Sequence, residues 1–159
     1  IKNNFILNRL HSFKGLQHRL EFVGTIKKVN FFNDSKATNV AATCSALTSF
    51  KKVILIAGGS KKGENFKGLT RFSNIIDETF LIGDTAIDIA KSLNKICENN
   101  ICKNLTDAVK KSFNKSIKSG KYYPILFSPA CASFDSYKNF EHRGEHFKKI
   151  FNKIKKEAA

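Results

Sequence analysis

Asn33-Asp34-Ser35-Lys36-Ala37-Thr38-Asn39 stands between two stretches of different character. Val29-Asn30-Phe31-Phe32 before it reads as a strand, and the small-residue run Val40–Leu47 (VAATCSAL) after it reads as a helix. A strand-to-helix turn directs backbone N–H groups and the positive end of the helix outward, which suits a phosphate or a carboxylate. The alternative is an ordinary helix cap: Thr38 or Asn39 satisfies the first-turn donors, and Asp34 and Lys36 are simply solvated.

The flanking sequence repeats the strand–helix alternation. A hairpin is expected from Leu20-Glu21-Phe22-Val23, a turn at Gly24-Thr25, and Ile26 through Phe32. Val53-Ile54-Leu55-Ile56-Ala57 is a continuous apolar run, the mark of a strand covered on both faces. A short helix near Lys67–Asn74 leads to a strand at Thr79–Ile82, and Gly83-Asp84 opens a helix with apolar positions at Ile87, Ala90 and Leu93. A brief strand is expected near Lys95–Cys97. A helix follows from Leu105 to Ile117, with Gly120 past its end, then a buried strand at Tyr123–Phe127 and a basic amphipathic helix at Glu145–Lys156. This order predicts an α/β domain with a mainly parallel sheet and helices on both faces. Ligands bind such sheets at the carboxyl ends of the strands. The polar exits 33–39, 58–63 and 128–136 should therefore open on one edge.

The chain has 159 residues, with 42% hydrophobic content and 15 Phe, enough for one cored domain. Residues 1–14 are polar and irregular and read as an incoming linker, leaving 15–159 as the domain. Its net charge of +15 points superficially to nucleic acid. Yet 24 of the 28 basic residues are Lys and four are Arg, scattered in ones and twos. Arg is the side chain that forks phosphate and reads bases, so a stand-alone basic nucleic-acid-binding domain is the runner-up. No secretory signal is visible, no apolar run is long enough to span a bilayer, and Cys44, Cys97, Cys102 and Cys131 show no paired spacing. A monomer in the cytoplasm with reduced thiols and no membrane partner is expected. The sequons at Asn33, Asn104 and Asn114 then carry no meaning.

Gly58-Gly59-Ser60-Lys61-Lys62-Gly63 lacks the Lys-Ser/Thr of a phosphate loop and is no GxGxxG; it reads as a glycine turn in which Lys62 could hold an anion. No GxGxxG follows any expected strand, which weighs against a dinucleotide-binding oxidoreductase. Ser128-Pro129-Ala130-Cys131-Ala132-Ser133 follows a buried strand. Its small residues suit a hydroxyl and backbone-amide pocket better than a nucleophilic Cys131, for which no base is spaced. His142-Arg143-Gly144-Glu145-His146 matches HxxEH, but Gly144 weakens the helix such a metal pair needs and no third ligand is evident, so no metal site is expected. His18-Arg19 reads as a surface pair, with Arg19 a possible phosphate contact.

Together GLQHRLE (15–21), NDSKATN (33–39), the glycine turn with Lys62 and SPACASFD…FEHRG (128–144) closely resemble one family, in its order, from about Phe13 onward. The chain resembles the C-terminal domain of the Mur ligases that add D-glutamate to UDP-N-acetylmuramoyl-L-alanine in peptidoglycan synthesis. The resemblance implies a Rossmann-like domain that closes over a central ATPase domain. It also implies ATP with Mg, an acyl-phosphate intermediate, and attack on it by the amine of D-glutamate. By motif position, Arg19 and Asp34 should face the nucleotide, Arg19 at phosphate and Asp34 at the ribose. Lys36 should be catalytic, near the transferred phosphoryl and the nucleotide. Thr38, Lys62, Ser133, the Phe134 backbone and Phe140 should hold D-glutamate. A dicarboxylate needs cationic and hydroxyl donors, and an acyl-phosphate transition state needs positive charge rather than a protein nucleophile.

The family often has Asp before the loop lysine where this chain has Lys61, so Lys61 could share the role of Lys62. The glycine-rich phosphate loop, the magnesium carboxylates and the UDP-sugar domain are not in this sequence and are expected upstream of Ile1. Alone, the chain is expected not to catalyse ligation. A sibling ligase adding another amino acid would share this architecture.

Overall fold

Strand β3 (Val53–Gly58) is buried along its whole length, and it lies inside a six-stranded sheet. The computed structural model describes residues 15–158, so the expected linker 1–14 lies outside the described residues. The other strands are β1 (Glu21–Ile26), β2 (Val29–Asn33), β4 (Ile76–Ile82), β5 (Glu98–Ile101) and β6 (Ile125–Phe127). They are ordered β1-β2-β6-β3-β4-β5. Among the described residues β1 alone is antiparallel to its neighbour; the remaining pairs are parallel. The helices are α1 (Val40–Leu47), α2 (Ala86–Leu93), α3 (Leu105–Lys118) and α4 (Phe140–Glu157), with a 3₁₀ segment at Phe66–Phe72.

The alternation of β3 explains the layers. Ile54 and Ile56 point to a core shared with Phe31, Phe127 and the inner faces of α3 and α4. Val53, Leu55 and Ala57 point the other way, onto α1, α2 and the 3₁₀ segment. Burying each large side chain contributes roughly 1.5–3 kcal/mol, and both faces need a cover because successive residues of a strand face opposite sides. Phe127 stacks on Phe147 with centroids 5.1 Å apart, fixing α4 beneath the strand ends. The expected α/β sheet with helices on both faces is what the chain adopts.

The hairpin exists, but its turn does not lie at Gly24-Thr25. β1 runs through both residues, and the chain reverses at Lys27-Lys28, with φ of 45° and 71°. A two-residue reversal with both φ positive matches the right-handed twist of the flanking strands. Gly24 instead follows an irregularity in the ladder between Phe22 and Gly24. A Cβ there would stand 2.6 Å from the Phe151 ring, so the missing side chain lets α4 approach β1. β4 begins at Ile76, before the expected Thr79, and β5 occupies Glu98–Ile101 rather than Lys95–Cys97. α4 starts at Phe140, not Glu145, because the Asn39-like cap Asn139 accepts from the His142 N–H at 2.7 Å.

Candidate functional site

β2, β6 and β3 are neighbours and parallel, so the turns leaving them meet at one sheet edge. Backbone bonds tie these turns together: Asp34 N–H donates to Phe127 O (2.8 Å), Gly58 N–H to Pro129 O (2.8 Å) and Ser60 N–H to Ala132 O (3.0 Å). The 33–39 turn is closed by Ala37 N–H to Asp34 O (2.9 Å). Asn39 caps α1 by accepting from Ala42 N–H at 2.9 Å. The cap is real, but Asp34 is not the solvated carboxylate that an ordinary cap would leave.

Asp34 is buried at the wall of a cleft of about 500 Å³ that Arg19, Lys36, Ala42 and Ser45 also line. Its Oδ1 accepts from Leu20 N–H at 3.0 Å and its Oδ2 from the Ser128 hydroxyl at 2.7 Å. Burial raises its pKa above the usual carboxylate value, against the opposing pull of the Ser128 and Leu20 bonds and the nearby Arg19 charge. Arg19 and Lys36 are exposed at the same cleft. Neither has a carboxylate within ion-pair reach among the described residues. Lys36 Nζ lies 4.7 Å from the centroid of the Phe140 ring, an attraction to the π-face that leaves the ammonium open to an anion.

Lys62 Nζ stands 5.0 Å from the centroid of Phe134, whose side chain is 66% exposed. Lys61 is engaged elsewhere, 2.9 Å from an Asp88 oxygen on α2. Thr38 is half-buried and Ser133 only 2% exposed. The structure therefore gathers Arg19, Asp34 and Lys36 at one cleft, sets Phe140 against Lys36, and sets Lys62 against Phe134. It keeps the Ser133 side chain inside.

Arg143, inside the HxxEH stretch, is the largest fully buried side chain among the described residues. Its Nε donates to Ser35 Oγ (3.0 Å), Nη2 to the carbonyls of Ser35 (2.8 Å) and Cys131 (3.0 Å), and Nη1 to Ala132 O (3.1 Å). One guanidinium thus joins α4 to the turns after β2 and β6. Burial pushes it down to about 10, still charged at neutral pH. The two histidines of that motif do other work. His146 Nδ1 bonds the Tyr137 hydroxyl at 2.8 Å, and burial lowers its pKa, helped by His142 and Lys149. Among the described residues no three or more His, Cys, Asp or Glu are grouped to hold a metal ion.

His18 is 4% exposed, so the surface reading of His18-Arg19 is wrong for its first member. Its Nδ1 lies 2.9 Å from Asn33 Nδ2, and its carbonyl accepts from Lys36 N–H at 2.9 Å. Gly144 makes room for the ring, since a Cβ there would overlap His18. The scarcity of Arg and the placement of Gly inside a helix were the available signals for Arg143 and Gly144. Cys131 is fully buried, its Sγ 3.2 Å from the Thr85 hydroxyl. Burial pushes its thiol up to about 11, which removes it as a nucleophile.

Residues 18–131 match the family model described as Mur ligase, glutamate ligase domain. The chain belongs to the Mur ligase family. It is 39% identical over 155 residues to UDP-N-acetylmuramoylalanine--D-glutamate ligase of Wolbachia pipientis wMel, covering 98% of this chain and 30% of that protein. It is 44% identical over 158 residues to the ligase of the same name from Caldicellulosiruptor saccharolyticus, covering 97% of this chain and 34% of the relative. A third, from Caulobacter sp. strain K31, is 41% identical, with 94% and 32% covered. The chain spans about a third of the length of these curated relatives. No helix among the described residues is long and apolar enough to cross a membrane.

Proposed function

We propose that the chain is the nucleotide- and D-glutamate-binding domain of an ATP-dependent ligase that adds D-glutamate to UDP-N-acetylmuramoyl-L-alanine. The observation that carries this reading is the cleft at the strand ends, where buried Asp34 faces the exposed cations Arg19 and Lys36, neither ion-paired among the described residues. Unpaired cations beside a fixed acceptor fit a nucleotide: Arg19 meets phosphate oxygens, and Asp34 accepts from a ribose hydroxyl. ATP supplies the phosphoryl group that activates the sugar-peptide carboxylate, with magnesium as its counter-ion; no residue of this chain is assigned to the metal.

Lys36, seated on Phe140, places positive charge where the phosphoryl oxygens gain negative charge, a stabilisation that needs no protein nucleophile. Lys62 over Phe134 offers a point charge to the side-chain carboxylate of D-glutamate, and Thr38 a hydroxyl. Ser133 and Phe134 contribute through the loop that Arg143 pins, and Phe140 through its ring. The name shared by the relatives, and the match of nearly the whole chain to them, support D-glutamate over another amino acid and a ligase over a nucleic-acid-binding domain. We further infer a monomer acting in the cytoplasm, inactive without the rest of such a ligase.

The test replaces the matching segment of the Caldicellulosiruptor relative with this chain. Phosphate release from ATP that depends on UDP-N-acetylmuramoyl-L-alanine and on D-glutamate, and not on L-glutamate, is expected. A folded chimaera that releases phosphate with another amino acid, or with none, overturns the reading.

A further inference from the structure

The buried ring of His18 sits in a polar cluster whose hydrogen bonds determine where its proton is. Asn33, at the end of β2, is the reference. Its Oδ1 accepts from Ser35 N–H at 3.2 Å, a bond that only an oxygen can make. Its Nδ2 lies 3.0 Å from Glu21 Oε2 and 3.4 Å from Gly144 O, both pure acceptors. The amide orientation is thus fixed from both ends. The same Nδ2 lies 2.9 Å from His18 Nδ1, nearer than Gly144 O, so its two hydrogens go to Glu21 and to the ring; Nδ1 accepts and does not carry a proton. Nε2, 3.5 Å from Glu145 Oε1, is left to bear the hydrogen.

The charged groups around the ring are Glu21 from β1, 3.8 Å from Nδ1, and Glu145 from α4. Lys148 bridges these two carboxylates, at 3.3 Å and 2.7 Å. Arg19 follows in sequence, and the Phe140 ring meets the imidazole edge-on with centroids 6.3 Å apart. Around this ring the backbone is bound to the candidate site. His18 O accepts from Lys36 N–H, and Leu20 N–H donates to Asp34. His18 itself has φ of 59°, a strained conformation for a side-chain-bearing residue that the surrounding bonds must hold.

We propose that His18 is a positioning residue whose ring carries its proton on Nε2 because Asn33 donates to Nδ1, and that this proton placement locks the Arg19 turn and the 33–39 turn to α4. Protonating Nδ1 would set two donors against each other, N–H against N–H₂, and release Asn33 from the ring. The 33–39 turn, bonded through Asn33 and through the His18 carbonyl, would then lose its register with Arg19.

The test is nitrogen-resolved NMR of the histidine rings in the 159-residue chain, with His18 assigned by its loss in His18→Asn. At neutral pH a pyridine-type signal for Nδ1 and a pyrrole-type signal for Nε2 are expected. A proton on Nδ1, in either the other tautomer or the imidazolium, overturns the proposal. On acidification the amide signals of Ser35 and Lys36 should move with the ring; a ring that titrates while those amides stay still overturns the locking role. In Asn33→Asp a carboxylate replaces the amide donor, and the Nδ1 signal should change to the protonated type. Retention of the pyridine-type signal in that folded variant also overturns it, and the wild-type spectrum decides the matter if the variant does not fold.

Discussion

Arg143 holds Ser35 by two bonds at once, Nε to the hydroxyl at 3.0 Å and Nη2 to the carbonyl at 2.8 Å. The two residues lie 108 positions apart, so this contact closes the domain around the turn that bears Lys36. The Ser35 hydroxyl passes the restraint on by donating to Phe140 O at 2.8 Å. Phe140 and Lys36 are thus tied by a hydrogen-bond relay as well as by the ring–ammonium contact.

Arg143→Met should therefore destabilise the chain by about 3 kcal/mol, because the buried carbonyls of Ser35 and Cys131 lose the guanidinium donors and Ala132 O keeps only Ser60 N–H. Arg143→Lys should recover little of this. An ammonium is a compact charge and cannot span acceptors that the planar fork reaches together. Urea unfolding of the variants measures both; a loss under about 1 kcal/mol in Arg143→Met would show that the staple matters little.

Gly144→Ala should cost about 1–3 kcal/mol by overpacking against the His18 ring, despite the better helix propensity of alanine. The conflict is local, so His18→Ala in the same chain should cancel most of the added cost. A double-mutant cycle in urea reads the coupling, and strictly additive losses would place the strain elsewhere.

The fold was legible where one residue type decides an element. The apolar run Val53–Ala57 is one such stretch, and the small-residue helix after Asn39 is another. The turn at Lys27-Lys28 was not, since two lysines at positive φ carry no glycine or asparagine signal, while Gly24 carried a misleading one. Of the candidate site, the motif positions Arg19, Asp34 and Lys36 do converge on one cleft. The burial of His18 and Arg143 was not legible, because it depends on turns from β2 and β6 meeting α4. Charged residues enter a core only where tertiary contacts supply the acceptors.

Asp34 makes a pH-dependent prediction. Burial raises its folded pKa above the ordinary 3.8, so the folded state takes up the proton more readily than the unfolded chain. That favours folding fully below the unfolded value, and the gain is lost as pH rises through the folded value. Asp34→Asn should thus match or exceed the wild type in stability at pH 7, with the advantage vanishing as pH falls below the ordinary carboxylate value. The same variant should weaken nucleotide binding about tenfold, the scale of one lost charged hydrogen bond. Parallel urea melts and ADP titrations at pH 7 and pH 4 check this; a variant less stable at pH 7 than at pH 4, relative to wild type, would reverse the sign.

Cys131 should resist alkylation by iodoacetamide at pH 8.5 in the folded chain and react on unfolding, as a buried thiol raised to about 11 is almost wholly protonated there. Peptide mass spectrometry reads the label site by site. Labelling of Cys131 ahead of the half-buried Cys97 in native protein would restore it as a reactive group.

The neighbours Lys61 and Lys62 should separate cleanly in the chimaeric ligase. Lys61 is bound to Asp88 at the surface, where an ion pair adds little, so Lys61→Ala should leave D-glutamate kinetics within about twofold. Lys62 has Phe134 as its partner and faces the loop that Arg143 holds, so Lys62→Ala should raise the KM for D-glutamate by about tenfold or more, the effect of one lost charge-assisted bond. Phe134→Leu should lie between them, since it removes the ring beneath the ammonium and keeps the charge. Initial-rate phosphate release across a D-glutamate series measures all three. Equal KM effects for Lys61→Ala and Lys62→Ala would mean that the loop shifts register when the substrate arrives, and that Asp88 releases Lys61 to share the carboxylate.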